Sequence, residues 1–185
     1  GAVALLLLAA FGYYLVDYLR YFGDWTRLYS VDFSAHPDMR GLIFSETALT
    51  EEERPPELTD EGLVLGETRM FWARDVRERG NVRVEVVARW PAMVDGLEIM
   101  LNTRREQPPV FAQCPTGYAC QFGGWKGVVN IISRNTKPRW PDQGNSVGCD
   151  LEPGVTYRLW FQRVGEEISL FVNGRRVFQV IEPLP

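Results

Sequence analysis

The stretch VTYRLWFQRVGEEISLFVNGRRVFQV, residues 155–180, decides the fold. In its first part apolar and polar side chains alternate, with Tyr157, Leu159 and Phe161 opposite Thr156, Arg158 and Gln162. The alternation resumes over residues 168–172, and a period of two is typical of a half-buried antiparallel strand. Asn173-Gly174 then supplies the residues that a type I′ hairpin turn requires. The stretch therefore predicts three antiparallel strands.

The same periodicity recurs upstream. Residues 81–90 place Val82, Val84, Val86, Ala88 and Trp90 on one face, which predicts another half-buried strand. Weaker signals predict further strands at Leu28–Ser34, Leu42–Ser45, Gly62–Leu65, Met70–Ala73, Gly96–Asn102, Tyr118–Phe122 and Val128–Arg134. Residues 51–57 and 137–148 are polar and proline-containing, so they are interpreted as surface loops. About a dozen short strands with no later helix signal predict an all-β sandwich over residues 28–185.

The N-terminal segment differs from the rest of the chain. Residues 1–16 carry no charge, and an uncharged apolar run predicts a transmembrane helix over residues 1–22, with a linker at 23–27. A signal peptide or a buried core helix are the alternatives. Small side chains at Ala9, Ala10 and Gly12 would let a neighbouring helix approach closely. Aromatic residues expected at the membrane interface are Tyr13, Tyr14, Tyr18, Tyr21 and Trp25.

Several segments carry a family resemblance. They include Val31-Asp32-Phe33-Ser34, the Gln121-Phe122-Gly123-Gly124-Trp125 block, and Ile168-Ser169-Leu170-Phe171-Val172-Asn173-Gly174. Together with the strands at 82–86 and 157–160 they resemble the concanavalin A-like lectin/glucanase superfamily, in particular bacterial laminin-G-like domains. The resemblance covers residues 28–185, and it implies a jelly-roll sandwich.

Charge and cysteine usage restrict the partners and the compartment. The net charge of −4 offers no basic patch for a nucleic acid. One histidine and no Cys-x-x-Cys pair make a metal site unexpected, and we expect no cofactor. Cys114 and Cys120 bracket a short turn and could form a disulfide in an oxidising compartment, or all three thiols could be free.

The acidic residues do not form a catalytic pattern. A retaining glucanase needs two carboxylates about 5 Å apart on one face. The nearest candidates, Asp95 and Glu98, are three residues apart and so fall on opposite faces of a regular strand. His36 stands beside a proline in a polar loop, where a surface histidine is expected. We therefore predict that the chain is not an enzyme.

A ligand site can be predicted around one tryptophan. Trp125 follows two glycines and could stack on the apolar face of a sugar ring, while Asn102, Asn130 and Arg134 on nearby strands bond its hydroxyls. The alternative is a core or rim tryptophan that steadies the Gly-Gly turn, and the sequence does not separate the two.

The sequence supports three hypotheses for function. The first is a non-catalytic, membrane-anchored accessory or structural subunit of a larger complex, for example a respiratory or photosynthetic one, with other membrane subunits and the lipid bilayer as partners. The second is a glycan-binding domain, and the third is the outer sensor domain of a longer receptor or kinase. Arg20 and Arg27 weakly favour a cytoplasmic domain. The cysteines and the resemblance favour a single-pass protein of the inner or plasma membrane with its domain on the periplasmic, extracytoplasmic side.

Overall fold

The computed structural model describes residues 11–16, 25–27, 29–35, 37–38, 42–44, 57–65, 71–73, 80–92, 96–101, 117–134 and 146–181. Apart from helical residues 11–16, a 3-10 turn at Phe33–Ala35 and a helical turn at Gly124–Gly127, the regular elements of this part are strands. They are β1 (Leu42–Phe44), β2 (Glu57–Thr59), β3 (Gly62–Val64), β4 (Phe71–Ala73), β5 (Val82–Arg89), β6 (Leu97–Leu101), β7 (Tyr118–Gly123), β8 (Val129–Arg134), β9 (Ser146–Gly148), β10 (Thr156–Val164), β11 (Glu167–Val172) and β12 (Arg175–Ile181). The predicted all-β class is confirmed.

The strands form two larger sheets. Sheet I has the strand order β12-β11-β10-β5, and sheet II has the order β6-β7-β8-β9. Every neighbouring pair in these two sheets is antiparallel. Strands β1 and β4 form a separate antiparallel pair, and β2 and β3 form another two-stranded sheet.

The chain divides into two compact units. The first comprises Gly1–Asp38 with Leu58–Leu63, and the second comprises Met39–Glu57 with Val64–Pro185. Both larger sheets and the β1–β4 pair belong to the second unit. The core and the candidate site described below lie within it.

The hairpin predicted at Asn173-Gly174 is confirmed. Both residues have positive φ, 51° and 84°, as a type I′ turn requires. The turn joins β11 to β12, with Val172 paired with Arg175. Asn173 also extends the ladder to β10: its N–H donates to the Arg158 carbonyl at 2.8 Å, and its Oδ1 accepts from the Arg158 N–H at 2.9 Å.

The two larger sheets share one apolar core. The predicted inward faces of β5 and β10 are confirmed, since Val82, Val84, Val86 and Ala88 pack against a cluster that contains the β10 side chains. Both sheets contribute to this cluster: Trp90, Tyr157, Leu159, Phe161, Ile168, Leu170 and Phe178 come from sheet I or its ends, and Ile99, Leu101, Tyr118, Cys120, Phe122 and Ile132 come from sheet II. Each large side chain fully removed from water contributes roughly 1.5–3 kcal/mol.

Part of the outward face of sheet I is buried as well. Trp160 and Gln162 alternate with the core residues of β10, yet only 6% and 1% of their surfaces are exposed. The Trp160 ring stacks on Phe171 at 4.9 Å, and the Arg83 Nε–H donates to Gln162 Oε1 at 2.9 Å. The outward face is therefore buried around Trp160 and Gln162, whereas Val87 on β5 is 69% exposed.

Three local predictions are wrong. The strand predicted at Leu28–Ser34 is absent from residues 29–35, where Asp32 Oδ1 instead accepts hydrogen bonds from the Ser34 N–H and hydroxyl and favours a 3-10 turn. Strand β9 lies inside the second predicted loop. The position of Glu166-Glu167 beside Gly165 predicts an exposed hairpin tip, but Glu167 is buried, and its carboxylate accepts from Ser169 Oγ at 2.8 Å.

Candidate functional site

A left-handed turn joins β7 to β8 and presents an exposed tryptophan. We call residues 123–128 the Trp125 turn. Trp125 has φ 52° and ψ 59°, and Lys126 has φ 58° and ψ 44°, both in the left-handed region. Gly123 and Gly127 on either side also have positive φ, 70° and 84°. Left-handed backbone costs an ordinary residue roughly 1–2 kcal/mol, so the surrounding contacts must hold this conformation.

Main-chain hydrogen bonds hold the turn from two sides. Within it, the Val128 N–H donates to the Gly124 carbonyl at 3.1 Å. From the segment after β9, the Cys149 N–H donates to the Val128 carbonyl and the Leu151 N–H to the Gly127 carbonyl, each at 3.0 Å. The turn is thus tied to a neighbouring stretch of chain as well as to its own ends.

Close packing restricts which side chains fit at positions 123 and 124 of the turn. A Cβ on Gly123 would lie 3.0 Å from Leu151 Cδ2, and one on Gly124 would lie 2.8 Å from the Gln121 side chain. This packing and the positive φ of Gly123 therefore favour glycine at both positions of the Gly123-Gly124 pair.

Asn130 lies beneath the turn. It is the inward-facing second residue of β8, and only 3% of its surface is exposed. Its Oδ1 accepts a hydrogen bond from the Gly123 N–H at 3.2 Å, which satisfies a polar group that would be costly to bury alone. Its side chain also lies close enough to the Cys149 thiol to lower the pKa of that thiol, against the larger effect of burial. Asn130 therefore connects the start of the turn to the segment after β9.

The Cys149 side chain is half-buried beside the turn. Burial raises its pKa, and the negative charge of Asp150 acts in the same direction. Hydrogen bonds from the Gly123 N–H and the Asn130 side chain oppose this shift. The resulting direction favours the neutral thiol, which is a poor nucleophile and a poor metal ligand.

The structure brings two of the four predicted ligand residues together. Trp125, with 52% of its surface exposed, and Asn130 occupy the top and the base of one turn. Arg134 is the last residue of β8, and Val129 is the first. Because Arg134 comes five residues after Val129, it lies roughly 17 Å from the turn along the strand. Asn102 lies outside the described residues.

Two exposed neighbours of Trp125 were not predicted. Lys126 and Val128 are both exposed on the same turn. The Gly-Gly-Trp-Lys-Gly sequence indicates a tight turn, but which side chains it presents depends on the left-handed backbone. That conformation arises from the contacts with Asn130, Cys149 and Leu151.

The predicted disulfide joins Cys114 and Cys120, and of these two only Cys120 is among the described residues. Cys120 is a free thiol, fully buried in the core at the centre of β7. Cys149 is also free, and strand β8 separates it from Cys120. Their Cα atoms are therefore roughly 10 Å or more apart, beyond the reach of about 7 Å for a disulfide.

The described part of the predicted anchor is helical and exposed. Within residues 11–16, Tyr13 and Tyr14 are 72% and 71% exposed, and their rings meet edge to face at 6.1 Å. Trp25 is half-buried, while Tyr18 and Tyr21 lie outside the described residues, as do 1–10 and 17–22 of the predicted span. In the portion of the chain that is described, no helix combines the length and apolar content needed to cross a bilayer.

The acidic residues that were weighed for catalysis are not seen as a pair. Glu98 lies half-buried on the outward face of sheet II, opposite Gln121, and Asp95 lies outside the described residues. Among the residues with described positions, no group of three or more His, Cys, Asp or Glu side chains is arranged to hold a metal ion.

Comparisons with protein-family models, with curated proteins and with solved structures gave no match. The resemblance to the concanavalin A-like superfamily stays a prediction.

Proposed function

We propose that this chain is a non-catalytic, membrane-anchored interaction module, with a jelly-roll sandwich behind an N-terminal transmembrane helix. The observation that carries the proposal is the exposure of residues 11–16. Phe11, Tyr13, Tyr14 and Val16 each expose about two thirds or more of their surface, so apolar side chains point outward on all sides of one helical turn. A helix that is apolar all round is stable inside a bilayer or against other apolar helices.

In this proposal the chain is an accessory subunit of a larger membrane complex, of the respiratory or photosynthetic kind. Its helix contacts lipid and neighbouring subunits, and its sandwich contacts subunits on the extracytoplasmic side of the inner or plasma membrane. The core that the two larger sheets share supports a rigid scaffold role. The module contributes binding surfaces and performs no chemical step.

Extraction of the native protein tests this proposal. After solubilisation in a gentle detergent, sizing and mass spectrometry should show a defined set of membrane proteins at fixed stoichiometry. A Leu15→Asp, Val16→Asp variant should shift the chain out of the carbonate-washed membrane fraction, because each charge at the centre of a membrane helix costs about 3 kcal/mol. Thr156→Asp, at an exposed position of β10, is the matched control and should leave the fraction unchanged. A chain that is membrane-free in its native form would contradict the proposal.

Glycan binding is a second candidate, supported by the exposure of Trp125. Sugars bind proteins by stacking an apolar ring face on an aromatic side chain, and Trp125 offers such a face on a fixed backbone. Lys126 beside it can donate hydrogen bonds to hydroxyls.

A glycan array tests the second candidate. Trp125→Ala should abolish binding, Trp125→Phe should retain part of it, and Val87→Ala should have no effect. Val87 is a suitable control because it is a similarly exposed apolar residue, 69% exposed, on the edge strand of sheet I. Equal binding by the wild type and Trp125→Ala would exclude Trp125 as the sugar platform.

A further inference from the structure

We propose that the Trp125 turn is a glycan-recognition element already formed before the glycan arrives, and that Asn130 is its positioning residue. The proposal rests on the second candidate function above, in which Trp125 stacks on a sugar ring. It assigns Asn130 a role different from direct ligand contact.

The conformation of the turn requires an external support. Trp125 and Lys126 are adjacent, both carry a Cβ, and both have left-handed backbone. A free chain of this sequence would mostly leave that region, because the Cβ of an L-residue is too close to the following carbonyl there. The contacts of the turn with the rest of the molecule therefore determine how Trp125 is presented.

Asn130 provides the side-chain part of that support. Its Oδ1 accepts from the N–H of Gly123, the first left-handed residue of the turn, at 3.2 Å. Its side chain also lies beside Cys149, whose own N–H donates to the carbonyl of Val128, the last residue of the turn. One buried amide thus holds the start of the turn by a hydrogen bond and lies beside the residue that holds its end.

Asn130 is buried, whereas the side chains of the turn that would contact a ligand are exposed. Asn130 exposes only 3% of its surface, whereas Trp125 and Val128 expose 52% and 56%. A ligand on the turn meets these exposed side chains and does not reach the amide. Asn130 therefore affects binding by keeping the turn in the bound conformation, which reduces the entropy lost when the ligand arrives.

Hydrogen exchange on the full chain tests the assignment without a ligand. The Val128 and Leu151 amides donate to the Gly124 and Gly127 carbonyls. In Asn130→Ala these two amides should exchange at least about tenfold faster, while amides of β11 in sheet I should change much less. Asn130→Asp keeps a side-chain oxygen that can accept from the Gly123 N–H, so it should accelerate exchange less. It also serves as the test variant if Asn130→Ala does not fold.

Ser169→Ala is the matched control, because Ser169 is equally buried and its hydroxyl donates one hydrogen bond to Glu167 at 2.8 Å in sheet I. It should leave the exchange of the turn unchanged. Equal acceleration of the turn and of β11 in Asn130→Ala, or no acceleration of the turn, would overturn the positioning role.

The experiments distinguish a failure of the Trp125 contact role from a failure of the Asn130 positioning role. If the exchange result holds and Trp125→Ala has no effect on glycan binding, the contact role of Trp125 is wrong and the preformed turn stands. If Trp125→Ala abolishes binding and Asn130→Ala leaves both affinity and exchange unchanged, the positioning role is wrong. A loss of affinity of about tenfold in Asn130→Ala, partly restored in Asn130→Asp, supports both.

Discussion

Replacement of Lys126 by glycine should stabilise the protein. Lys126 has φ 58° and ψ 44°, and a left-handed conformation costs a residue with a Cβ roughly 1–2 kcal/mol. Glycine removes this cost but gives the unfolded chain extra freedom, which subtracts roughly 0.4–1 kcal/mol. The difference is a net gain of about 0.5–1 kcal/mol in the free energy of unfolding, or about 1–4 °C in Tm for a chain of this size.

Lys126→Ala separates the backbone effect from the loss of the side chain. Alanine keeps the Cβ and therefore keeps the strain, so its stability should stay within about 0.5 kcal/mol of wild type. Urea unfolding in mild detergent, followed by circular dichroism for all three proteins, measures the difference. If Lys126→Gly is no more stable than Lys126→Ala, then position 126 is not strained and the left-handed assignment of the turn is wrong.

Three further predictions concern the core and its pH dependence. A Cβ on Gly96 would lie 1.6 Å from the Phe122 carbonyl oxygen, so Gly96→Ala should cost about 3 kcal/mol or more, measured as a lowered urea midpoint or as loss of the folded protein. Phe161→Ala, at a fully buried core position, should cost about 3–5 kcal/mol, while Val87→Ala, on an exposed position of β5, should stay within about 0.5 kcal/mol. Equal costs for these two variants would contradict the assignment of the inward face. Burial, with a smaller contribution from Glu98, raises the pKa of the Cys120 thiol above its ordinary value of 9.0. The folded state therefore keeps a proton that the unfolded chain loses above about pH 9, and stability should fall there by up to about 1.4 kcal/mol per pH unit. Cys120→Ala should show a shallower fall, and identical slopes for the two proteins would show that Cys120 does not contribute.

Local rules predicted the hairpin and the inward faces correctly. Asn173-Gly174 adopts the turn that its chemistry favours, because these residues tolerate positive φ without help from distant parts of the chain. The alternation along β5 and β10 identified the side chains of the core, since successive residues of a strand point to opposite faces. Both signals are contained within a few consecutive residues.

The same alternation was misleading for the outward face of β10. Gln162 is polar and was assigned to the exposed face, yet it is almost fully buried and bonded to Arg83. Alternation indicates which side chains share a face, but a second packing layer on that face depends on segments far away in the sequence. Strand β9 was missed for a related reason: its three residues form a strand because they pair with β8.

The sequence by itself determined the β class of this protein, most of its strands and the presence of a glycine-bounded turn around Trp125. Only the tertiary structure decided how that turn presents its side chains and what Asn130 does beneath it. Strand periodicity and turn chemistry are properties of neighbouring residues, so they can be predicted from short stretches of sequence. The left-handed backbone of Trp125 and Lys126 costs free energy locally and exists because Asn130, Cys149 and Leu151 meet there, which no short stretch specifies.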